Sequence, residues 1–247
     1  MPIRFLRRPN RYLAIVQRES GGSPFAAHVP NPGRMEELLV PGDTLGFAVP
    51  AARPGRKTRF DLVAVRHGPE LVSIDSRVAN RLVAVALPMG IVAGLPHTHW
   101  RAEPTVGHAR LDFGRFHPGT GRPEGYLEVK SSNLRVGEEA LFPDAPTQRG
   151  RRHLEVLTSL ARRGIRCDVL FAIQRDDVRA FRPNRVLDPE FAAALDRARG
   201  SGVGVHAIRM QVSPDRVRLS EVVPVVDGVP QLAHPILYRR ASAIVGT

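Results

Sequence analysis

Short runs of alternating apolar and polar residues dominate the first third of the chain. Residues 12–16, 44–49, 59–65 and 71–74 are rich in β-branched and aromatic side chains and are bounded by Gly, Pro or Asn, which predicts strands. Between the early strands, HVPNPGRMEELLVPGD (28–43) predicts a short helix with Asn31 as cap, Pro32 at its first position and Pro41-Gly42 as its stop. A further helix is predicted over 81–87, capped by Asn80 and followed by a Pro/Gly-punctuated stretch to residue 96. From residue 110 the pattern changes. Strands at 110–116 and 126–131 are joined by the turn-rich HPGTGRPEG, and a helix follows over 149–163. At 100° per residue, Leu154, Leu157, Leu160 and Ala161 share one stripe of that helix, with Arg151, Arg152, Glu155, Ser159, Arg162 and Arg163 opposite. The apolar run 167–174 reads as a strand covered on both faces. Asp188-Pro189-Glu190 then opens a helix that Gly200 closes, and strands are expected at 203–210 and 217–223.

Four or five short strands and one small helix in about 75 residues fit a small closed barrel, with the OB-fold first among the candidates. The remainder reads as α/β. The expected fold is therefore mixed α+β, with a barrel domain over 1–80 and an α/β domain over 81–247. Of the 247 residues 43% are apolar and 24% charged, which suffices for a core and excludes wholesale disorder. No apolar stretch follows the basic start MPIRFLRR, and the longest uncharged run, 82–100, is interrupted by two prolines and two glycines. A cytoplasmic protein with no membrane partner is expected. The single cysteine, Cys167, excludes an internal disulfide and a cysteine-based zinc cluster, and reads as core.

Charge narrows the function classes. The formal net charge is +12, with 36 basic residues against 24 acidic ones, which suits a polyanionic partner. Arginine provides nearly all of the positive charge. Its planar fork suits phosphate, although arginine-rich codon usage accounts equally well for the shortage of lysine. It does not account for the net charge. Lys57 and Lys130 are the only lysines, so each merits inspection. The candidate nucleic-acid contacts are Arg34, Arg56 and Lys57 in the barrel domain, and Arg149, Arg151 and Arg152 at the start of the 149–163 helix.

The sharpest constellation is Asp112 in RLDF with Glu128 and Lys130 in YLEVKSSNL. Residues i and i+2 of a strand share a face, so Glu128 and Lys130 project together, and a hairpin brings Asp112 beside them. Two carboxylates and an ammonium make a magnesium (or manganese) site held by Asp112 and Glu128, with Lys130 steadying water or phosphate. This is the D…ExK arrangement of PD-(D/E)XK nuclease-like domains; the competing reading is a cross-strand ion pair. Glu103 is a further acid of the site or a loop carboxylate, and Asp144 a ligand or part of a turn. Gln148 either reaches the site or caps the helix. His153 lies close to the apolar stripe and reads as a packed, hydrogen-bonded histidine in preference to a catalytic one. His97 and His99 share strand spacing but lack companion ligands. The chain has no Walker loop, HExxH, nucleophile elbow or GxGxxG.

With these residues in hand, the chain resembles the sugar fermentation stimulation protein A family. The likeness runs through HVPNPGRMEELLVPGD, GRKTRF, RLDF, YLEVKSSNL, LFPDAPTQRGRRHLEVL, FAIQRDD and FRPNRVLDPEFAAAL, with Gly202-Val203 beyond. The resemblance implies an N-terminal OB-fold, a C-terminal PD-(D/E)XK nuclease-like domain and DNA binding, and it carries the site over to Asp112, Glu128 and Lys130. Two positions depart from the family pattern: Ala109 where serine is expected, and Pro32 where Asn-Thr-Gly is expected. Three functions compete: a metal-dependent phosphodiesterase acting on DNA, a non-catalytic DNA-binding regulator of sugar metabolism, and an RNA-binding protein. Oligomeric state is left open, a dimer included.

Overall fold

Strand β1 (Pro2–Asn10) turns Ile3 and Phe5 inward and Arg4 outward before a bulge breaks its alternation. It pairs antiparallel with β2 (Leu13–Arg18) on one side and β4 (Leu45–Pro50) on the other. Strand β3 (Phe25–His28) follows β2, and β5 (Phe60–His67) follows β4. The circle closes where β3 runs parallel to β5, with Ala27 opposite Phe60 and His28 opposite Asp61. The resulting order, β1-β2-β3-β5-β4-β1, is that of an OB-type five-stranded barrel, and β6 (Glu70–Ser73) extends β5 beyond it. Ile3, Phe5, Ala14, Val16, Ala27, Leu62 and Val65 fill the interior, with Met35, Leu38 and Leu39 packed against them from the β3–β4 connection. This computed structural model describes residues 1–228 apart from 53, 54, 93 and 97.

The helix expected over the β3–β4 connection does not form; the segment is a series of turns. Asn31 Oδ1 accepts the Gly33 N–H at 2.9 Å, closing a local turn instead of capping a helix. The Arg34 and Met35 amides are taken up by the Asp144 carboxylate from the second domain, and Met35 sits at φ 52°. Any side chain at Gly33 would collide with that carboxylate.

Helix α1 (Arg77–Ala86) begins four residues earlier than expected, with Ser76 and not Asn80 at its cap position. Asp75 supplies the N-terminal acceptor, taking the Arg77 N–H at 3.0 Å, so Asn80 is free for other use inside the helix. The short strands β7 (Arg101–Ala102), β8 (Thr105–Val106) and β9 (Ala109–Arg110) lead into β10 (Phe113–Phe116) and β11 (Pro123–Ser132). A small sheet contains β12 (Leu134–Val136) and β13 (Glu139–Phe142), and α2 (Gln148–Arg162) follows. After β14 (Arg166–Ile173) come β15 (Ala180–Pro183), α3 (Pro189–Gly200), β16 (Gly204–Val212) and β17 (Val217–Val222).

The main sheet of the second domain has the order β17-β16-β14-β11-β10-β7, parallel across β11, β14 and β16. Both faces are covered. Leu127, Val129, Leu170, Ala172 and Ile208 pack under α1, whereas Val169, Phe171 and Ile173 meet the helices α2 and α3. The alternation along β14 explains why residues 169–173 of that strand form an unbroken apolar run. Leu154 and Leu157 anchor α2, and full burial of each contributes about 1.5–3 kcal/mol. The small sheet β12-β13-β15 was not expected from the sequence; its β13–β15 pairing is parallel, with Glu139 opposite Ala180. None of the described helices is long and apolar enough to cross a membrane.

Barrel and sheet are joined through the end of β14. The buried Gln174 side chain donates to Ser73 Oγ at 2.9 Å and to the Asp75 carbonyl at 2.8 Å, while the Gln174 main-chain carbonyl accepts the Ser73 N–H at 2.9 Å. Arg175, also fully buried, reaches Asp177 at 2.6 Å, the Asn133 carbonyl at 3.1 Å and His67 Nδ1 at 3.0 Å. The FAIQRDD segment therefore ends a core strand and ties the two domains together.

Candidate functional site

Along β11 the side chains alternate. Leu127 and Val129 enter the core under α1, so Glu128 and Lys130 share the opposite face, toward α2. Glu128 is 2% exposed. A carboxylate so deeply buried needs partners, and two donors converge on one of its oxygens. Lys130 Nζ lies 2.5 Å from Glu128 Oε1, and His153 Nδ1, from the first turns of α2, is hydrogen-bonded to that same oxygen. Glu128 Oε2 is buried with no hydrogen-bond partner. Burial by itself would raise the Glu128 pKa, but the His153 bond and the Lys130 charge hold it below the ordinary carboxylate range.

Asp112 lies just before β10, where the β10–β11 pairing places Phe113 opposite Leu127. Its Oδ2 accepts the Val129 N–H at 2.8 Å, and its Oδ1 accepts Asn80 Nδ2 at 2.6 Å. Asp112 is thus held from both the adjoining strand and α1. Its pKa is raised, first by burial and then by the Glu128 carboxylate. Two carboxylates that raise each other's cost of ionisation, one of them with an orphan oxygen, favour a positive charge placed between them. No group of three or more His, Cys, Asp or Glu residues close enough to share an ion exists among the described residues. The donor set is two hard oxygens from two carboxylates, which suits a cation that keeps most of its waters, as magnesium does, and not a zinc cage.

The other candidates sort by their contacts. Glu103 is linked to Asp112 through the backbone, its N–H donating to the Asp112 carbonyl at 2.8 Å, but its side chain is exposed and pairs with Arg110 at 3.5 Å. Asp144 serves the β3–β4 connection as described. His97 lies outside the described residues, and His99 is exposed. Cys167 is buried in β14, its thiol pushed up to about 12 by burial and then by Asp168, so it is a core residue of low reactivity. Gln148 is the first residue of α2; the cap is Thr147, whose hydroxyl accepts the Gly150 N–H at 3.0 Å.

Among the arginines, Arg149 is exposed with its Nε 3.5 Å from His153 Nε2, and Arg152 is exposed one turn of helix away. Arg151 is engaged by Glu190 of α3. Arg151, Arg152 and Glu190 border a groove of about 460 Å³ between α2 and α3 that also takes in Gln148, Glu155 and Arg197, with Arg149 outside its lining. On the barrel, Arg34 and Lys57 are exposed, whereas Arg56 is held by Asp61 at 2.9 Å. Two residues of the site have no clear sequence signal. Asn80 reads as a helix cap, and His153 sits beside an apolar stripe where a packed histidine fits equally well.

Two family models match the chain. The sugar fermentation stimulation protein RE domain covers residues 77–216, and the SfsA N-terminal OB domain covers residues 6–74. A sugar fermentation stimulation protein homolog from Moorella thermoacetica is 43% identical over 224 residues, covering 90% of this chain and 94% of its own. One from Chloroflexus aurantiacus is 41% identical over 222 residues, with 90% and 83% covered. The solved structure of Pyrococcus furiosus SfsA in complex with Ca2+ superposes with a TM-score of 0.82 at 30% identity, covering 92% of this chain and 95% of that one. With one family model spanning more than half of its length and relatives matched nearly end to end, the chain belongs to the sugar fermentation stimulation protein family.

Proposed function

We propose that this protein binds DNA through its phosphates and hydrolyses phosphodiester bonds at Asp112, Glu128 and Lys130 with a divalent cation. The observation that carries the reading is the buried, unpartnered Oε2 of Glu128 beside the raised carboxyl of Asp112. Asp112 and Glu128 would hold the cation. Magnesium or manganese bound there supplies positive charge to the phosphate and lowers the pKa of water. Lys130, with 12% of its side chain exposed, holds an ammonium against Glu128 and can donate to a phosphate oxygen. Arg152, on the α2–α3 groove, and Arg149, exposed one turn earlier, grip flanking phosphates. The relative solved with Ca2+ supports a cation-binding site in this family.

The reaction adds water across the P–O bond: its oxygen joins phosphorus and the departing sugar oxygen takes a proton. Arginine contacts to phosphate carry little base information, so the binding is sequence-tolerant and strongly salt-dependent.

A second reading, a binding protein or regulator without cleavage, draws on one observation. Both Asp112 oxygens and Glu128 Oε1 are already hydrogen-bonded within the protein. Calorimetric titration with Mn2+, beside cleavage of labelled single-stranded DNA, double-stranded DNA and RNA, separates the two. The phosphodiesterase reading expects cation uptake and cleavage by the wild type, both abolished in Asp112→Asn/Glu128→Gln. Nucleic-acid binding with neither uptake nor cleavage would leave the binding protein, and a preference for RNA in either assay would change the substrate.

A further inference from the structure

We infer that His153 is a positioning residue that sets which oxygen of Glu128 faces the cation, an inference that rests on the metal reading above. The histidine lies in α2 between Gly150 and Leu154, is 7% exposed, and directs Nδ1 at Glu128 Oε1. Packing alone does not account for this. A histidine serving only as filler would sit in the stripe with Leu154 and Leu157, whereas this ring is aimed at the buried carboxylate of Glu128. A carboxylate oxygen can only accept, so the Nδ1 of His153 is the donor in this bond.

That hydrogen bond has a geometric consequence. His153 and Lys130 both occupy Oε1, which fixes the carboxylate plane and leaves Oε2, the orphan oxygen, as the one free for a ligand. The histidine touches neither cation nor substrate. It acts through Glu128, in the way outer-shell partners orient metal-holding carboxylates.

The test is Mn2+ binding by calorimetry on wild type, His153→Leu and His153→Asn, with thermal unfolding of each. Leucine fills the space without a donor; asparagine keeps an N–H near the position of Nδ1. Leucine is expected to weaken Mn2+ binding by about 10- to 100-fold, and asparagine to restore most of it. Equal affinity in wild type and His153→Leu overturns the inference while leaving the metal reading intact. So does an asparagine variant as weak as leucine at an unchanged melting temperature. No uptake by the wild type overturns both. Should leucine prevent folding, the histidine 15N resonances of the wild type decide: an Nδ1 signal that shifts on addition of Mg2+ supports the inference, and one that does not move overturns it.

Discussion

Asn80, inside helix α1, donates a 2.6 Å hydrogen bond to Asp112, a residue 32 positions further along the chain. An asparagine in a helix interior is a poor helix former, and alanine there would gain a few tenths of a kcal/mol of propensity. The bond more than reverses that balance, because it donates to a carboxylate that is largely withdrawn from water. Asn80→Ala is expected to destabilise the protein by about 1–2 kcal/mol at pH 7 in urea unfolding. The deficit should shrink as pH falls and Asp112 takes up its proton, since the bond favours the charged carboxylate. A variant as stable as wild type at pH 7 would remove Asn80 from the support of the site.

Glu37 gives a pH dependence of the opposite sign to that of a paired carboxylate. Burial, and then the nearby Asp144 charge, push its pKa up to about 7, against an ordinary value of 4.5, with Arg175 opposing them. The folded protein therefore holds a proton on Glu37 through a window in which the unfolded chain has released it. Stability falls as pH rises from about 4.5 to about 7 and is flat above, with a ceiling near 3 kcal/mol for this group. Glu37→Gln keeps the neutral shape and should remove that fall. Melting temperatures of both proteins at pH 5 and pH 8 check it; equal pH slopes would refute it.

Legibility varied with how local each signal is. Glu128 and Lys130 are readable because the strand period alone puts them on one face, and Lys130 stands out among arginines. The burial on both sides of β14 is written in the apolar run 169–173. Asn31 shows where local rules fail: proline at the next position is a good helix start, yet the amides that a first turn would present are claimed by Asp144, about 110 residues away. Strands β13 and β15 are four residues each and pair in parallel across an intervening helix, so neither carries a local signature. For His153, position on the helix fixes which way the ring points but not what it meets. Only the tertiary fold supplies Glu128.

Gln174 is the polar link between barrel and sheet, and its replacement tests how far the domains depend on each other. Leucine at this position would leave Ser73 Oγ and the Asp75 carbonyl without the side-chain donor, and Ser131 without its acceptor. Each buried group so stranded costs about 1–3 kcal/mol, so Gln174→Leu is expected to reduce stability by about 3 kcal/mol or more in urea unfolding. The drop should come with faster hydrogen exchange at Ser73 and its neighbours in β6. An unaltered unfolding midpoint would show that apolar packing, and not this amide, holds the domains together.

The exposed arginines of α2 should not contribute equally to nucleic-acid binding. Arg149 and Arg152 are exposed, whereas Arg151 is already engaged by Glu190 and would have to surrender that partner to meet a phosphate. Arg149→Ala/Arg152→Ala is therefore expected to weaken binding of all DNA sequences alike, and to reduce the slope of log K against log salt by about 1 for each phosphate no longer neutralised. Arg151→Ala should produce a smaller change in both. Fluorescence anisotropy with two unrelated duplexes and a single strand, each over a range of salt, measures affinity and slope together. Weakening confined to one sequence would mean that these side chains read bases. An effect of Arg151→Ala as large as that of the double variant would mean that the Glu190 pair opens to admit the strand.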